Sequence, residues 1–427
     1  MMKGVYMKSG KIKDRLTDKK VIIYILTVIF SLVILLVLSF IANNGLTRFE
    51  IDSSAKTYVA KVERVGEVKT VDGSFDDSGV QKADTYIYFT AKITGGADKG
   101  KYVDAVQIIE GTSVVDPTRV EKGRKIILMD NVGYENAGSD YVLFEFVRTD
   151  ALLILLVLFC LLLIVFGRTK GFNTIISMVF TVLAVFAVFV PGVLSGKNIY
   201  VWSILCCAYI TVMTLMIVQG INKKSITAGI GCISGVCIAG GLFKLTDIAI
   251  KLTGNTTEEM VHLLYLDTSK PIDLKSIIFA AIIIGAVGAI MDVAMSVSSA
   301  LYEIRENSPD ISFGRLFKSG MSIGRDMMGT MSNTLVLAYI GSSLSTVVML
   351  FAYEQPLIET LNREMIIVDI LQALVGSFGI LFTIPLTSLI SSALYTDQSI
   401  KSVRIKKKAK NPNEISGEER DFDNSLF

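Results

Sequence analysis

Residues 275–299 read KSIIFAAIIIGAVGAIMDVAMSVSS, and this run decides the class of fold. A helix needs about 20 apolar residues to cross the roughly 30 Å of hydrocarbon in a bilayer. The run is longer than that, and its only carboxylate is Asp292. The stretch therefore predicts a membrane-spanning helix.

Seven further apolar runs have a similar character. The composition agrees with them, since 51% of the residues are hydrophobic and only 19% are charged, against about 25% charged in soluble proteins. This pattern excludes a soluble enzyme and a single-pass anchor, and it predicts an α-helical polytopic membrane protein with about eight transmembrane helices. The seven runs lie near residues 21–42, 151–167, 172–194, 199–220, 226–248, 326–352 and 366–395.

The first run and the basic residues predict the orientation. A signal peptide has an apolar core of about 7–15 residues, whereas the run 21–42 is longer and has Phe40 near its end, so we expect an uncleaved helix. With the N-terminus inside, inner segments hold 22 basic residues and the short outer loops hold five. The positive-inside rule then predicts that both termini are cytoplasmic. These are a basic N-terminus (1–20) and a tail (397–427) that is first polybasic and then acidic, and we expect the basic stretches to contact anionic lipid headgroups.

A large insert, residues 45–149, separates the first helix from a seven-helix block at 150–396. Apolar and polar residues alternate in several of its segments, such as Tyr86–Ile93, and turn-rich stretches such as Gly95–Gly100 lie between them. Five or six short strands in so short a segment predict a small extracytoplasmic β-barrel or sandwich, OB-like in type. The insert has no Cys and no His, which favours a binding or structural module over an enzyme.

Polar residues inside the predicted spans mark the candidate site. An Asp within a span costs about 2.5–3.5 kcal/mol on an insertion scale and so tends to be functional. Helical spacing places Gly288, Asp292, Ser296, Ser299 and Glu303 on one face, and it places Asp326, Thr330 and Asn333 on one face of the next span. From the helical rise, Asp292 and Asn333 reach a similar depth. The predicted transport cluster comprises Asp292, Ser296, Arg325, Asp326, Thr330 and Asn333.

Within this cluster we expect Arg325 to pair with Asp292 or Asp326. Gly288 and Gly329 would let the helix backbones approach closely. The alternative interpretation is that these polar groups cap a helix end and pair structurally near the membrane surface.

Three other features concern helix packing. Pro385 predicts a kink in the last span that frees a carbonyl, which can line a pathway in transporters, although a plain kinked packing helix fits equally well. Gly231, Gly235 and Ala239 recur at four-residue steps and predict a close-packing face. Lys244 and Asp247 lie about one turn apart and predict an ion pair.

Motifs for other chemistry are weak or missing. All five cysteines fall inside predicted spans, where Cys behaves as a small hydrophobe. The single histidine, His262, is weak evidence for a metal site, even with Glu258 and Glu259 nearby. The sequence has no Walker A loop, dinucleotide fingerprint or zinc-protease motif. We therefore expect no cofactor, no metal, no catalytic residue and no nucleic-acid partner.

Two motifs resemble the YibE/F family of bacterial multi-pass membrane proteins. They are IMDVAMS at 290–296 and SGMSIGRDMMGTMSNTL at 319–335. The order of parts also fits, namely one helix, a β-rich insert and a seven-helix block, so the resemblance extends over about 55–395. It implies a location in the bacterial plasma membrane, and it implies no particular substrate.

Three functions remain open from the residues. The first is a transporter or exporter of a small molecule, ion or peptide, with Asp292 as the titrating group, because low dielectric raises the proton affinity of a carboxylate. The second is a binding, sensing or scaffold protein that acts through the β domain. The third and most remote is an intramembrane aspartyl protease using Asp292 and Asp326. An oligomer is compatible with each of them.

Overall fold

The computed structural model describes residues 19–46, 56–75, 81–96, 98–112, 117–131, 138–265, 271–352 and 356–396. The chain divides into a barrel unit (Arg48–Leu162) and a helical unit (Met1–Thr47 and Leu163–Phe427). The predicted basic N-terminus up to residue 18 and the predicted tail at 397–427 lie outside the described residues.

The barrel unit contains five strands that close on themselves. Their order is β1-β2-β3-β5-β4; β3 pairs with β5 in parallel, and the other pairings are antiparallel. This closed five-stranded barrel confirms the predicted barrel, and its OB-like type stays a prediction. The strands are β1 (Thr57–Phe75), β2 (Gln81–Ile93), β3 (Tyr102–Ile109), β4 (Lys125–Asp130) and β5 (Tyr141–Phe146).

The predicted alternation explains the barrel interior. In β2 every second residue is buried (Ile87, Phe89, Ala91 and Ile93), as expected when one face of a strand packs on a core. Strand β1 is long enough to pair with both β2 and β4, and shifts of register at several points let it bend around the barrel.

The helical unit accounts for most of the chain, and every predicted apolar segment is helical. Counting residues 149–194 as one helix, six described helices are long and apolar enough to cross a membrane, or seven if α8 and α9, which are bent by 61°, form one span. The exact number of crossings and their sidedness stay predictions. The helices are α1 (Lys19–Asn43), α2 (Thr149–Ala184), α3 (Val190–Leu194), α4 (Ile199–Gln219), α5 (Lys223–Ile250), α6 (Glu258–Leu264), α7 (Leu274–Asn307), α8 (Phe313–Ser342), α9 (Leu344–Ala352), α10 (Leu357–Leu361) and α11 (Glu364–Thr396), with a π-helical turn at Val185–Phe189 between α2 and α3.

Helix α2 is broken at Arg168, where two apolar runs meet. Arg168 has φ 49° and ψ −125°, which no α-helix accommodates. Gly171 lies directly against the carbonyl of Leu163, eight residues earlier, whereas a straight helix would separate them by about 12 Å. The chain therefore folds back here, and the predicted division into two segments agrees with this break.

Helix α11 packs against α5, α7 and α8 in the core of the helical unit. A methyl group added at Gly231 or Gly235 of α5 would overlap Thr387 or Thr383 of α11. The predicted close-packing face on α5 is thus confirmed, and its partner is α11. On another side of α11, Gly324 of α8 lies against Ile384 in the same way.

Candidate functional site in the helical unit

The polar residues of α7 lie together on one exposed face. Gly288, Asp292, Ser296 and Glu303 are exposed, whereas Val293, one residue after the carboxylate, is fully buried. The helix runs unbroken from Leu274 to Asn307. Asp292 therefore lies fifteen residues, or about 22 Å, from the end of its helix, so the interpretation of Asp292 as a helix cap does not fit.

Helix α8 is amphipathic, and its charged residues lie on the outward side. A helix that contacts lipid has apolar residues on that side. The buried positions of α8 are Leu316, Gly320, Gly324 and Leu335, and they face the core. Its exposed positions include apolar residues such as Leu337 and Ile340, but they also include charged and amide groups, which lie on the outside of the single chain. These exposed residues include Ser322, Arg325, Asp326, Thr330 and Asn333.

Two contacts fix the register of α7 against α8. A methyl group at Gly320 would lie 2.9 Å from Cδ1 of Leu301, and one at Gly285 would lie 2.9 Å from the hydroxyl of Tyr339. Interpolation between them at 1.5 Å per residue places Asp292 level with Thr330. The neighbouring Asn333 is then about 4–5 Å away along the axis.

The predicted ion pair of Arg325 is not formed within the chain. Among the residues that the structure describes, neither Arg325 nor Asp292 nor Asp326 has an opposite charge within 4.0 Å. The reason is geometric. Arg325 lies five residues, or about 7.5 Å, from the level of Asp292, and consecutive helical residues such as Arg325 and Asp326 point about 100° apart.

The predicted close approach at Gly288 and Gly329 is also wrong for the single chain. A methyl group at either glycine would meet no atom of the described residues within 4 Å. Gly231 and Gly235, opposite α11, do make close helix contacts. The polar faces of α7 and α8 are therefore open surfaces, in contrast to the packed core.

A column of buried hydroxyl groups on α11 was not predicted from the sequence. Tyr395 contacts Thr227 of α5 and Ser298 of α7 through hydroxyl pairs at 2.8 and 2.7 Å, and Ser298 also donates to the carbonyl of Lys224 at 2.9 Å. The spacing of three and four residues was the available signal. The column comprises Thr383, Thr387, Ser388, Ser391, Ser392 and Tyr395, all buried.

Several of these hydroxyls have no hydrogen-bond partner among the described residues. The side-chain oxygens of Thr387, Ser388 and Ser392 are buried without a hydrogen bond. Pro385, in the middle of the column, lacks the amide hydrogen that would bond to the carbonyl of Leu381. Helix α11 nevertheless continues through Pro385 from Glu364 to Thr396.

The charges near the other end of α5 pair differently from the prediction. Lys244 lies over the ring of Tyr200, at 4.8 Å from its centre, and Asp247 pairs with Lys275 of α7 at 3.9 Å. The predicted Lys244–Asp247 pair is therefore wrong, because neighbouring helices offer each side chain another partner.

The segment around His262 forms the short helix α6. Thr257 caps it by accepting a hydrogen bond from the amide of Met260. Hydrogen bonds from the backbone amide of Glu259 and from Thr257 lower the pKa of the Glu259 carboxyl, as expected at a helix N-terminus. Within the described residues, no group of three or more His, Cys, Asp or Glu side chains is placed to hold a metal ion.

The barrel unit has its own candidate binding feature, a cleft of 620 Å³. One wall carries the ion pair between Lys125 and Asp150, at 2.6 Å. Val59 and Phe146 contribute apolar surface, and Thr94 and Glu145 contribute polar groups. The cleft therefore offers charged, polar and apolar contacts together.

Comparison with known proteins supports one relationship. No curated protein and no solved structure matches the chain. A sequence model of the YibE/F-like protein family matches residues 155–397, more than half of the chain. The match starts in α2 and leaves out the barrel, although the resemblance seen in the sequence extends back to about residue 55. The chain belongs to the YibE/F-like protein family.

Proposed function

We propose that the chain is a membrane transporter that moves a small polar or ionic solute along the polar faces of α7 and α8, with Asp292 as its titrating group. The observation that carries this proposal is the exposure of Asp292 in the middle of a long apolar helix. Ser296, Thr330 and Asn333 extend the same polar surface.

The surroundings make this surface unusual. Exposed residues on the long helices are mainly Leu, Ile, Val and Phe, such as Phe166, Leu374 and Leu389, which suit contact with lipid. An Asp facing lipid costs about 2.5–3.5 kcal/mol on an insertion scale, and ionisable residues in membrane helices almost always face a water-filled cavity or another protein surface. The polar faces therefore favour a hydrated path.

The proposed membrane topology follows from the distribution of basic residues. We place the chain in the bacterial plasma membrane with eight crossings, both termini in the cytoplasm and the barrel outside. The basic termini would contact anionic lipid. Support comes from the apolar helices and from family membership, and the positive-inside bias supplies the direction.

Proton flux into vesicles tests the proposal. The purified full-length chain is reconstituted into phosphatidylethanolamine–phosphatidylglycerol vesicles that contain a pH-sensitive dye, and a pH gradient is imposed with the membrane potential clamped by valinomycin. We expect protein-dependent dissipation of the gradient. Asp292→Asn should slow it at least tenfold, because an amide carries no titrating proton.

The control is Asp310→Asn, which neutralises an exposed carboxylate in the segment between α7 and α8 and should leave the flux unchanged. Equal flux for Asp292→Asn and the wild-type chain would overturn the proposal. No flux from either protein would favour the alternative in which the barrel binds a partner and the helices anchor it. A protease is less compatible, because a dyad needs two carboxylates about 3 Å apart, whereas Asp292 and Asp326 differ by about 6 Å in depth.

A further inference from the structure

The polar face of α8 lacks a partner for its charges. We define this face as Ser322, Arg325, Asp326, Thr330 and Asn333, all exposed. In the described part of the chain, no ion pair involves Arg325 or Asp326. The buried side of the same helix packs on α11 through Gly324, so the helix cannot rotate to hide its charges without losing that contact.

The position of these charges along the helices argues against simple exposure to headgroups. Gly324 lies against Ile384, close to the middle of α11 (Glu364–Thr396). Arg325 and Asp326 follow directly after Gly324, so they share that depth. Charges at this level of a membrane helix contact water, other charges or another protein surface.

We propose that a second copy of this chain covers the polar face of α8, so that Arg325 of each copy pairs with Asp326 of the other. A two-fold axis along the membrane normal brings the same residues of two copies to one depth. Since Arg325 and Asp326 are adjacent and opposite in charge, that symmetry creates two ion pairs at once. A different membrane protein would need a matching acid and base at the same depth.

Further along the helix, the residues suit close contact between two copies of α8. Gly329 has open space around it, which lets a second backbone approach. Thr330 and Asn333 follow it at one and four residues, and they would face their counterparts across the axis. Hydroxyl and amide groups of this kind hydrogen-bond between membrane helices.

The arrangement would also complete the candidate site. In the predicted cluster Arg325 pairs with Asp292 or Asp326, and the single chain does not form that pair. In the dimer, the second copy's Arg325 would pair with Asp326 and cover the α8 side of the site, and the solute path would then follow the face of α7 that carries Asp292. This step deepens the proposed function, but the contact itself depends only on α8 lying in the membrane.

Charge reversal tests the contact in the full-length chain. The mass of the purified protein in detergent is measured by light scattering after size-exclusion chromatography, over a range of concentrations. We expect a dimer for the wild type and at least tenfold weaker association for Arg325→Asp and for Asp326→Arg. The double variant R325D/D326R should restore the dimer, because both ion pairs re-form with reversed polarity.

Two controls reverse exposed charges elsewhere, Lys223→Asp and Asp310→Arg, and should leave the dimer intact. A second measurement uses a variant without native cysteines. Asn333→Cys should form a disulfide between copies in membranes, whereas Leu389→Cys, on an exposed apolar position of α11, should not.

A monomeric wild type without crosslinking at position 333 would overturn the inference. So would a dimer that both single reversals leave intact, or a double variant that stays monomeric. None of these three outcomes depends on proton flux, so failure of the dimer and failure of the transport proposal are distinguishable.

Discussion

Two polar regions of the helical unit use the same small residues in opposite ways. On α11, the hydroxyls of Thr383 and Thr387 are buried against Gly235 and Gly231 of α5. On α7 and α8, polar side chains lie beside glycines that have open space around them. Hydroxyl residues thus form a packed contact where the glycines of a neighbouring helix lie against them. Where charged residues lie on the same face as the hydroxyl residues and glycines, that face is an open surface.

The largest expected effect is the loss of thermal stability when a packed glycine, rather than one with open space around it, is replaced by alanine. Gly235→Ala would place a methyl group into the Thr383 hydroxyl, and overpacking of this kind costs about 1–3 kcal/mol. We expect a clear fall in Tm and in the yield of folded protein in the membrane. Thermal unfolding of the purified chain in detergent measures it.

Gly288→Ala is the matched control, since its methyl group would meet nothing within 4 Å. Its Tm should equal or slightly exceed that of the wild type, because Ala favours a helix over Gly. Equal losses at both positions would refute the distinction between packed and open glycines.

A smaller effect is expected at the end of the hydroxyl column. Tyr395→Phe removes the hydroxyl that joins Thr227 and Ser298, and the loss of a buried hydrogen bond costs about 1 kcal/mol. The Tm should fall modestly, whereas Tyr265→Phe, at an exposed position, should not change it. An unchanged Tm for Tyr395→Phe would show that this hydroxyl contributes no stability.

Much of the fold could be predicted from the sequence. The lengths of the apolar runs predicted the helices, and the alternation of apolar and polar residues around Ile87 and Phe89 predicted the barrel strands. Helical spacing placed Asp292 and Ser296 on one face, because that relation depends only on residues within one helix.

The remaining features depend on which helices are neighbours. Spacing does not show which helix opposes a glycine. Close packing was predicted at both Gly231 and Gly288, and the prediction is correct for Gly231 and wrong for Gly288. Arg325 was expected to reach a carboxylate of its own chain, but the rotation of α8 on α11 turns it outward. Asp247 pairs with Lys275 of another helix instead of with Lys244. The hydroxyl column was missed because its residues are uncharged and its partners come from α5 and α7.

The most direct test of the central claim asks whether water reaches the face of α7 that carries Asp292. In a cysteine-free background, Ser296→Cys and Ser392→Cys are exposed to a membrane-impermeant thiol reagent, added separately to each side of oriented vesicles. We predict labelling of position 296 from at least one side, at a rate within tenfold of Asp310→Cys, and no labelling of position 392, which is fully buried. If position 296 is as unreactive as position 392 from both sides, the polar face does not line a hydrated path.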